Sequence, residues 1–224
     1  MLSYAFFCEH TMQPLKVLNL YAGIGGNRKL WQNVEVTAVE QNATIAKIYK
    51  NNFLEDNVVL GDAHQFLLEH FAEYDFIWSS PPCQSHSRMV KATRHKVIKY
   101  PDLKLYEEVI FLQHFAKGFW VVENVQPYYV PLIAGKKVGR HLFWSNFDIK
   151  EIKIKNIPGF INNDSPTAIK EMKKRLGIVY NKNVYYEGNH SPAQILRNAV
   201  LPELGLHVFN SAVSNSANAF GNII

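Results

Sequence analysis

The sequence predicts an α/β fold built on a mostly parallel, doubly wound sheet. Three observations carry this. Short apolar runs rich in branched residues alternate with stretches of helical period, the pattern of strands joined by helical crossovers. The first run ends at a glycine cluster, Gly23-Ile24-Gly25-Gly26. The chain has 224 residues, 47% apolar and 19% charged, which is enough for one such domain with a small appendage and too little for two.

Leu15–Tyr21 reads as a buried parallel strand, because a strand covered on both faces is apolar throughout. A short helix is expected over Gly26–Asn33, then a second strand, Val34–Glu40, which alternates and ends in an acid. Asn42 can cap a helix carrying Ile45, Ile48 and Tyr49. Val58–Leu60 is the third strand, Ala63–Phe71 is helical by period, and Tyr74–Trp78 is the fourth strand. Asp102–Lys117 is a patterned helix with Leu105, Val109, Leu112 and Phe115 on its apolar face. Phe119–Val122 and His141–Phe147 complete the strands. From Asp148 the pattern weakens. Ile149–Ile154 alternates, Pro158-Gly159 marks a turn, Thr167–Leu176 reads as a basic helix, and Pro192–Ala212 reads as a helical region interrupted by Pro202 and Gly205.

Composition excludes several classes. No run approaches the length of a bilayer-spanning helix. Leu2–Cys8 is apolar but short, without a basic flank or a cleavage pattern, so no signal peptide is expected. Two cysteines, Cys8 and Cys83, cannot build a disulfide framework or a four-thiolate zinc site, and a reducing setting is expected. The net charge of +5 permits a polyanionic partner. Its distribution says more. Arg88, Lys91, Arg94, Lys96 and Lys99 fall between Cys83 and Tyr100 with no carboxylate among them, and the stretch from Asp148 to Glu187 adds eight cations against five anions. Two basic segments fit two surfaces on one polyanion; the second fits a solvated helix equally, whereas the first leaves directly from Cys83 and is read as functional.

Five strand ends carry candidate chemistry. Glycines after the first strand let backbone approach a ligand closely. Glu40 ends the second strand, where a carboxylate can take two ribose hydroxyls, and Asp62 ends the third, placed to accept from an adenine amino group. The full spacing for a pyrophosphate-bearing dinucleotide is missing, because Asn27, Arg28 and Lys29 follow Gly26; a nucleoside cofactor such as S-adenosyl-L-methionine fits better. After the fourth strand, Pro81 and Pro82 stiffen the chain ahead of the Cys83 thiol, which the following cations are expected to activate. A lone cysteine is otherwise a small buried hydrophobe. Glu123-Asn124 ends the neighbouring strand, where burial is expected to raise the carboxyl pKa.

Together these residues resemble the DNA cytosine-C5 methyltransferases. Asn19 to Gly26 resembles the family's cofactor motif, Pro81-Pro82-Cys83-Gln84 with Ser87 its nucleophile motif, and Glu123-Asn124-Val125 its acid motif. Arg140, opening the strand after Gly139, resembles the last arginine of Gln-x-Arg-x-Arg, with Lys136 and Val138 at the other places. Asn198-Ala199-Val200 with Pro202 resembles the closing motif, with Arg197 where the family usually has glycine.

The resemblance implies a Rossmann-like S-adenosylmethionine-dependent methyltransferase fold. It places a catalytic and cofactor-binding domain over residues 1–147 plus 188–224 and a short target-recognition region over 148–187. It implies methyl transfer to C5 of cytosine in double-stranded DNA, leaving S-adenosyl-L-homocysteine and using no metal. Cys83 would add to C6 of a flipped-out base, with Glu123, Asn124 and Arg140 completing the catalytic set. Tyr21, Ala22, Gly23, Ile24, Gly25, Gly26, Glu40, Asp62, Pro82, Asn198 and Ala199 would hold the cofactor. Gln84, Ser87, Arg88, Lys91, Arg94 and Lys96 would contact nucleic acid, on a loop, Ser85–Tyr100, that closes on the phosphates. A monomer in a prokaryotic or virally infected cytoplasm is implied, with no membrane partner and room for a cognate restriction endonuclease.

Other readings stay open at this point. The tRNA cytosine-C5 methyltransferases resemble the DNA enzymes but usually carry a Cys-Phe-Thr signature, absent here. Exocyclic-amino methyltransferases place an aromatic residue where Cys83 stands. A catalytically silent DNA-binding protein on the same fold would not need both Cys83 and Glu123.

Overall fold

Seven strands form one sheet in the order β3-β2-β1-β4-β5-β7-β6 in the computed structural model, which describes residues 13–87, 100–154, 163–185 and 191–220. They are β1 (Leu15–Leu20), β2 (Val34–Glu40), β3 (Asn57–Leu60), β4 (Phe76–Ser79), β5 (Phe119–Val125), β6 (Lys136–Val138) and β7 (His141–Ser145). The first five are mutually parallel, and β7 runs antiparallel to both β5 and β6. The expected α/β, mostly parallel, doubly wound architecture is therefore the observed one.

Both faces of the sheet are covered, which is why its central strands are apolar at consecutive positions. On one face Val17, Val36, Phe76, Trp78, Val121 and Phe143 pack with Leu204, Val208 and Phe209 of α6 (Pro202–Phe220). On the other, Leu18, Leu20, Ile77, Trp120 and Val122 pack with α2 (Ala63–His70) and α3 (Lys104–Phe115). Local chemistry sets the helix ends. The Asn42 side chain accepts from the Thr44 and Ile45 N–H groups and starts α1 (Ala43–Asn52). Asp62 caps α2 through Gln65 N–H, at 3.0 Å. Ser165 caps α4 (Pro166–Leu176), and Gly177 ends it in the left-handed conformation, φ 63°. A short α5 (Gln194–Arg197) precedes α6. Among the described residues no helix is long and apolar enough to cross a membrane.

Several expectations are corrected. Gly26–Asn33 is a run of turns and not a helix. Its anchors explain this. Trp31 is buried, its ring 5.3 Å from that of Phe209, and Arg28 is clamped to Asp56 at 3.0 Å. So short a segment gains little from helical propagation, and tertiary anchors decide its path. The helical region expected over Pro192–Ala212 is broken at residues 198–201, directly before Pro202, whereas Gly205 lies within the last helix without interrupting it. Pro202 opens α6, where a missing N–H costs nothing, and a Cβ on Gly205 would lie 2.2 Å from the Asn27 carbonyl oxygen. Gly205 is thus what allows α6 to lie against the turn after β1. Phe115 is exposed; the apolar stripe of α3 continues from Leu112 to Ala116 instead. Arg140 lies in the turn between β6 and β7 and not in the strand. β6 has no counterpart among the expected strands, because a three-residue edge strand with two exposed lysines has no apolar run to betray it. The Pro158-Gly159 turn lies outside the described residues.

The chain leaves β1 toward β2 on one side and returns as β4 on the other. This reversal opens a crevice at the carboxyl ends of β1 and β4, where doubly wound sheets bind ligands.

Candidate active site

The turn after β1 is shaped by left-handed backbone at Tyr21 (φ 53°), Gly23 (φ 56°) and Gly25 (φ 82°). A Cβ on Gly26 would lie 2.3 Å from the Val200 carbonyl oxygen, so the Asn198–Val200 segment is seated directly on the turn. Gly23 N–H donates to Glu40 Oε2 at 3.0 Å and Asn42 N–H to Oε1 at 2.9 Å. Burial pushes the Glu40 carboxyl up, and these N–H bonds oppose it. The side chain of Ile24 belongs to a core cluster with Ile45, Met172 and Leu196. Ala22 is buried beneath the turn and Ala199 beside Gly26. Asn198 is exposed and accepts from Gln194 Nε2 at 2.6 Å.

Tyr21, Asp62 and Pro82 line one pocket together with Gln41, Pro81, His86, Asp102, Lys104 and Leu105. The hydrogen bond from Gln65 N–H holds the Asp62 carboxyl below its usual range. His86 is buried, and burial lowers its pKa. Leu132 N–H donates to the Tyr106 hydroxyl, which donates to that of Tyr129. The Tyr129 proton is then free to donate to His86 Nδ1, at 2.6 Å. Asp102, another residue of the pocket wall, opposes the lowering of the His86 pKa through its charge and its backbone.

The loop after β4 is tied to the end of β5 at two places. Asn124 Nδ2 donates to the Pro81 carbonyl at 2.9 Å, and Ser80 Oγ donates to Glu123 Oε2 at 2.9 Å. Trp78 Nε1 supports Ser80 from behind at 2.8 Å. Cys83 is a free thiol whose carbonyl accepts from the N–H groups of His86 and Ser87. Burial and the Glu123 charge raise its pKa, outweighing the opposing Arg140 charge. The activation expected from the cations that follow the thiol rests on residues outside those described. Arg88, Lys91, Arg94, Lys96 and Lys99 lie outside the described residues. Gln84 is exposed, and Ser87 forms a β-bridge with Pro127.

Glu123 also departs from expectation. Burial pushes its pKa up as foreseen, but His141, Ser80 and Arg140 overcome this and hold the carboxyl below its usual range. The antiparallel register places Val125 opposite His141 and Glu123 opposite Phe143, so His141 and Glu123 are diagonal neighbours on one face. His141 Nδ1 donates to Glu123 Oε1. Arg140 Nε lies 3.1 Å from His141 Nε2. Arg140 Nη2 reaches the Arg197 carbonyl at 3.1 Å. The basic side chain bonded to the acid is thus His141, with Arg140 behind it.

Sequence reading misses His141, His86 and the pocket residues Gln41, Asp102, Lys104 and Leu105. The one available signal is alternation in β7, which puts His141 on the same face as Phe143. The others depend on how α3 docks, which no local pattern encodes.

The family model for C-5 cytosine-specific DNA methylases matches residues 15–127, which hold the glycine turn, the Pro-Pro-Cys loop and Glu123-Asn124. A type II methyltransferase of Bacillus subtilis is 24% identical over 243 residues, covering 93% of this chain and 54% of that protein. The human tRNA (cytosine(38)-C(5))-methyltransferase is 33% identical over 85 residues, 35% of this chain and 22% of that protein. The chain therefore spans about half the length of the bacterial relative and under a quarter of the human one. The solved structure of Entamoeba histolytica methyltransferase EhMeth shares the fold, with a TM-score of 0.50 and 13% identity over 90% of this chain and 98% of that one. The match to half of the chain, across the segments that build the crevice, places this protein in the C-5 cytosine-specific DNA methylase family.

Proposed function

We propose that this protein transfers a methyl group from S-adenosyl-L-methionine to C5 of cytosine in double-stranded DNA. The observation that carries the reading is the union of Cys83 and Glu123 at the ends of adjacent strands, beside a pocket walled by Tyr21, Asp62 and Pro82. The residues fit the cofactor. Left-handed Gly23 leaves open space where a Cβ would stand, Glu40 is anchored beside it, and Asp62 is held ionised. When bound, the cofactor supplies an electrophilic methyl group.

The chain's own residues supply the rest. The Cys83 sulfur forms a bond to C6 of the ring as its proton leaves, and the Glu123 carboxyl takes up the negative charge that develops by giving N3 a proton or hydrogen bond. C5 then takes the methyl group, leaving S-adenosyl-L-homocysteine; a base removes the C5 proton, the C–S bond breaks to release a thiolate, and the proton lent to N3 returns to the sulfur to restore the thiol. Cys83 holds a proton and Glu123 lacks one, so the pair already contains the proton that N3 requires. His141 and Ser80 keep the carboxyl oriented for that exchange.

DNA is favoured over tRNA because similarity to the bacterial relative runs over 93% of the chain and similarity to the tRNA enzyme over 35%. Residues 148–187 serve in this reading as a short target-recognition region. The helix α4 within it docks on the core through Met172 and Leu176 and exposes Lys170 and Lys174. Incubation with cofactor labelled in its methyl group tests the proposal. Label should appear on C5 of cytosine in duplex DNA. Label confined to tRNA transfers the reaction to that substrate, and label on neither contradicts the proposal.

A further inference from the structure

Glu108 sits inside α3, away from either helix end, and is fully buried. A carboxylate there is expensive, and a leucine would suit a stripe that already holds Leu105, Val109 and Leu112. Its partners explain its place. Oε1 accepts from the Tyr21 hydroxyl at 2.6 Å and from His64 Nδ1 at 3.1 Å, and Oε2 accepts from Ser79 Oγ at 2.5 Å.

Each partner belongs to a different wall of the crevice. Tyr21 opens the glycine turn in a left-handed conformation that disfavours a side chain, and its ring lines the pocket. His64 stands two residues after Asp62, in the first turn of α2. Ser79 ends β4, directly before Ser80, which bonds Glu123, and the Pro81-Pro82-Cys83 loop. The preceding turn of α3 supplies Lys104 and Leu105 to the same pocket. One carboxylate therefore holds the two sides of the topological reversal together. Burial and Glu108 both push the Tyr21 phenol well above its ordinary pKa, so it remains a donor.

We propose that Glu108 is a positioning residue that locks the cofactor turn, the Asp62 end of α2 and the nucleophile strand into one arrangement, so that cofactor affinity and thiol placement depend on it together. This rests on the reading that the pocket takes S-adenosyl-L-methionine.

The test measures two quantities on the full chain. These are the affinity for S-adenosyl-L-homocysteine by calorimetry, and the rate of covalent adduct formation on duplex DNA containing 5-fluorocytosine at saturating cofactor. Glu108→Gln keeps the volume but offers one acceptor where three donors converge, and it should lower both affinity and adduct rate about tenfold or more. Glu108→Asp, which keeps the charge, should recover part of each. Tyr21→Phe should act mainly on affinity and Ser79→Ala mainly on adduct rate, and these two variants carry the test if Glu108→Gln fails to fold. A Glu108→Gln protein with a lowered melting temperature but wild-type affinity and adduct rate would overturn the proposal. Wild-type protein that binds S-adenosyl-L-homocysteine yet forms no adduct contradicts the proposed reaction alone, since the affinity ratios still judge Glu108. Wild-type protein that binds no S-adenosyl-L-homocysteine overturns both readings.

Discussion

Glu108 and Glu123 are both buried carboxylates beside the same crevice, and they are held in opposite ways. Glu123 comes from the sheet, takes one imidazole N–H and one hydroxyl, and lies in the field of the Cys83 thiol. Glu108 comes from the helix layer, takes three donors, and has no exposed surface. Burial by itself would make Glu123 neutral, and its partners decide otherwise. In the proposed reading the two donor sets give the acids different work: one exchanges protons with a reacting ring, and the other fixes walls.

Breaking each acid should separate these roles. Glu123→Gln should slow methyl transfer by about 10²–10⁴-fold while leaving S-adenosyl-L-homocysteine affinity near wild type, as expected for a lost proton donor. A Glu123→Gln enzyme within tenfold of wild type contradicts its assigned part. The smaller, coupled loss expected of Glu108→Gln is the other arm of the comparison.

His141 sharpens the contrast. His141→Leu removes the donor that offsets the burial of Glu123, so its pKa should rise. The acid limb of the pH–rate profile should then move toward neutrality. An unmoved limb shows that His141 does not govern the acid.

Replacing Arg88, Lys91, Arg94, Lys96 and Lys99 with glutamine should weaken DNA binding and flatten its salt dependence, by up to about 0.9 in slope for each phosphate that is no longer neutralised. An unchanged slope removes this segment from the DNA interface.

The smallest effect concerns stability. The hydrogen bond to Glu108 raises the His64 pKa above its ordinary value. A group raised in the folded state stabilises it fully below the unfolded value of about 6.5 and loses that contribution as pH rises through the folded value. Wild type should therefore lose stability with rising pH in that window, by on the order of 1 kcal/mol. His64→Gln should show no such loss, and denaturant titrations across pH would reveal an identical slope if the reasoning is wrong.

The parallel half of the sheet is legible in the sequence because its strands are covered on both faces and read as apolar runs ending in glycines, acids and prolines. The antiparallel edge is not. β6 has two exposed lysines and no periodicity, and Arg140 falls in its turn. The state of Glu123 escapes the sequence for a related reason. Burial can be read from neighbours in sequence, whereas the diagonal His141 appears only once β5 and β7 are in register. The helix expected over Gly26–Asn33 fails because Trp31 and Arg28 answer to Phe209 and Asp56, far along the chain. Glu108 is hidden in a helix whose apolar period is correct around it.

The central claim is that the sulfur of Cys83 bonds to a cytosine ring while the methyl group is transferred. Mass spectrometry after incubation with cofactor and 5-fluorocytosine duplex DNA tests it directly, because fluorine cannot be eliminated and the intermediate is trapped. The expected result is a methylated nucleotide joined to the peptide containing Cys83, absent from Cys83→Ala. A Cys83→Ala protein that methylates ordinary DNA at the wild-type rate would contradict the account.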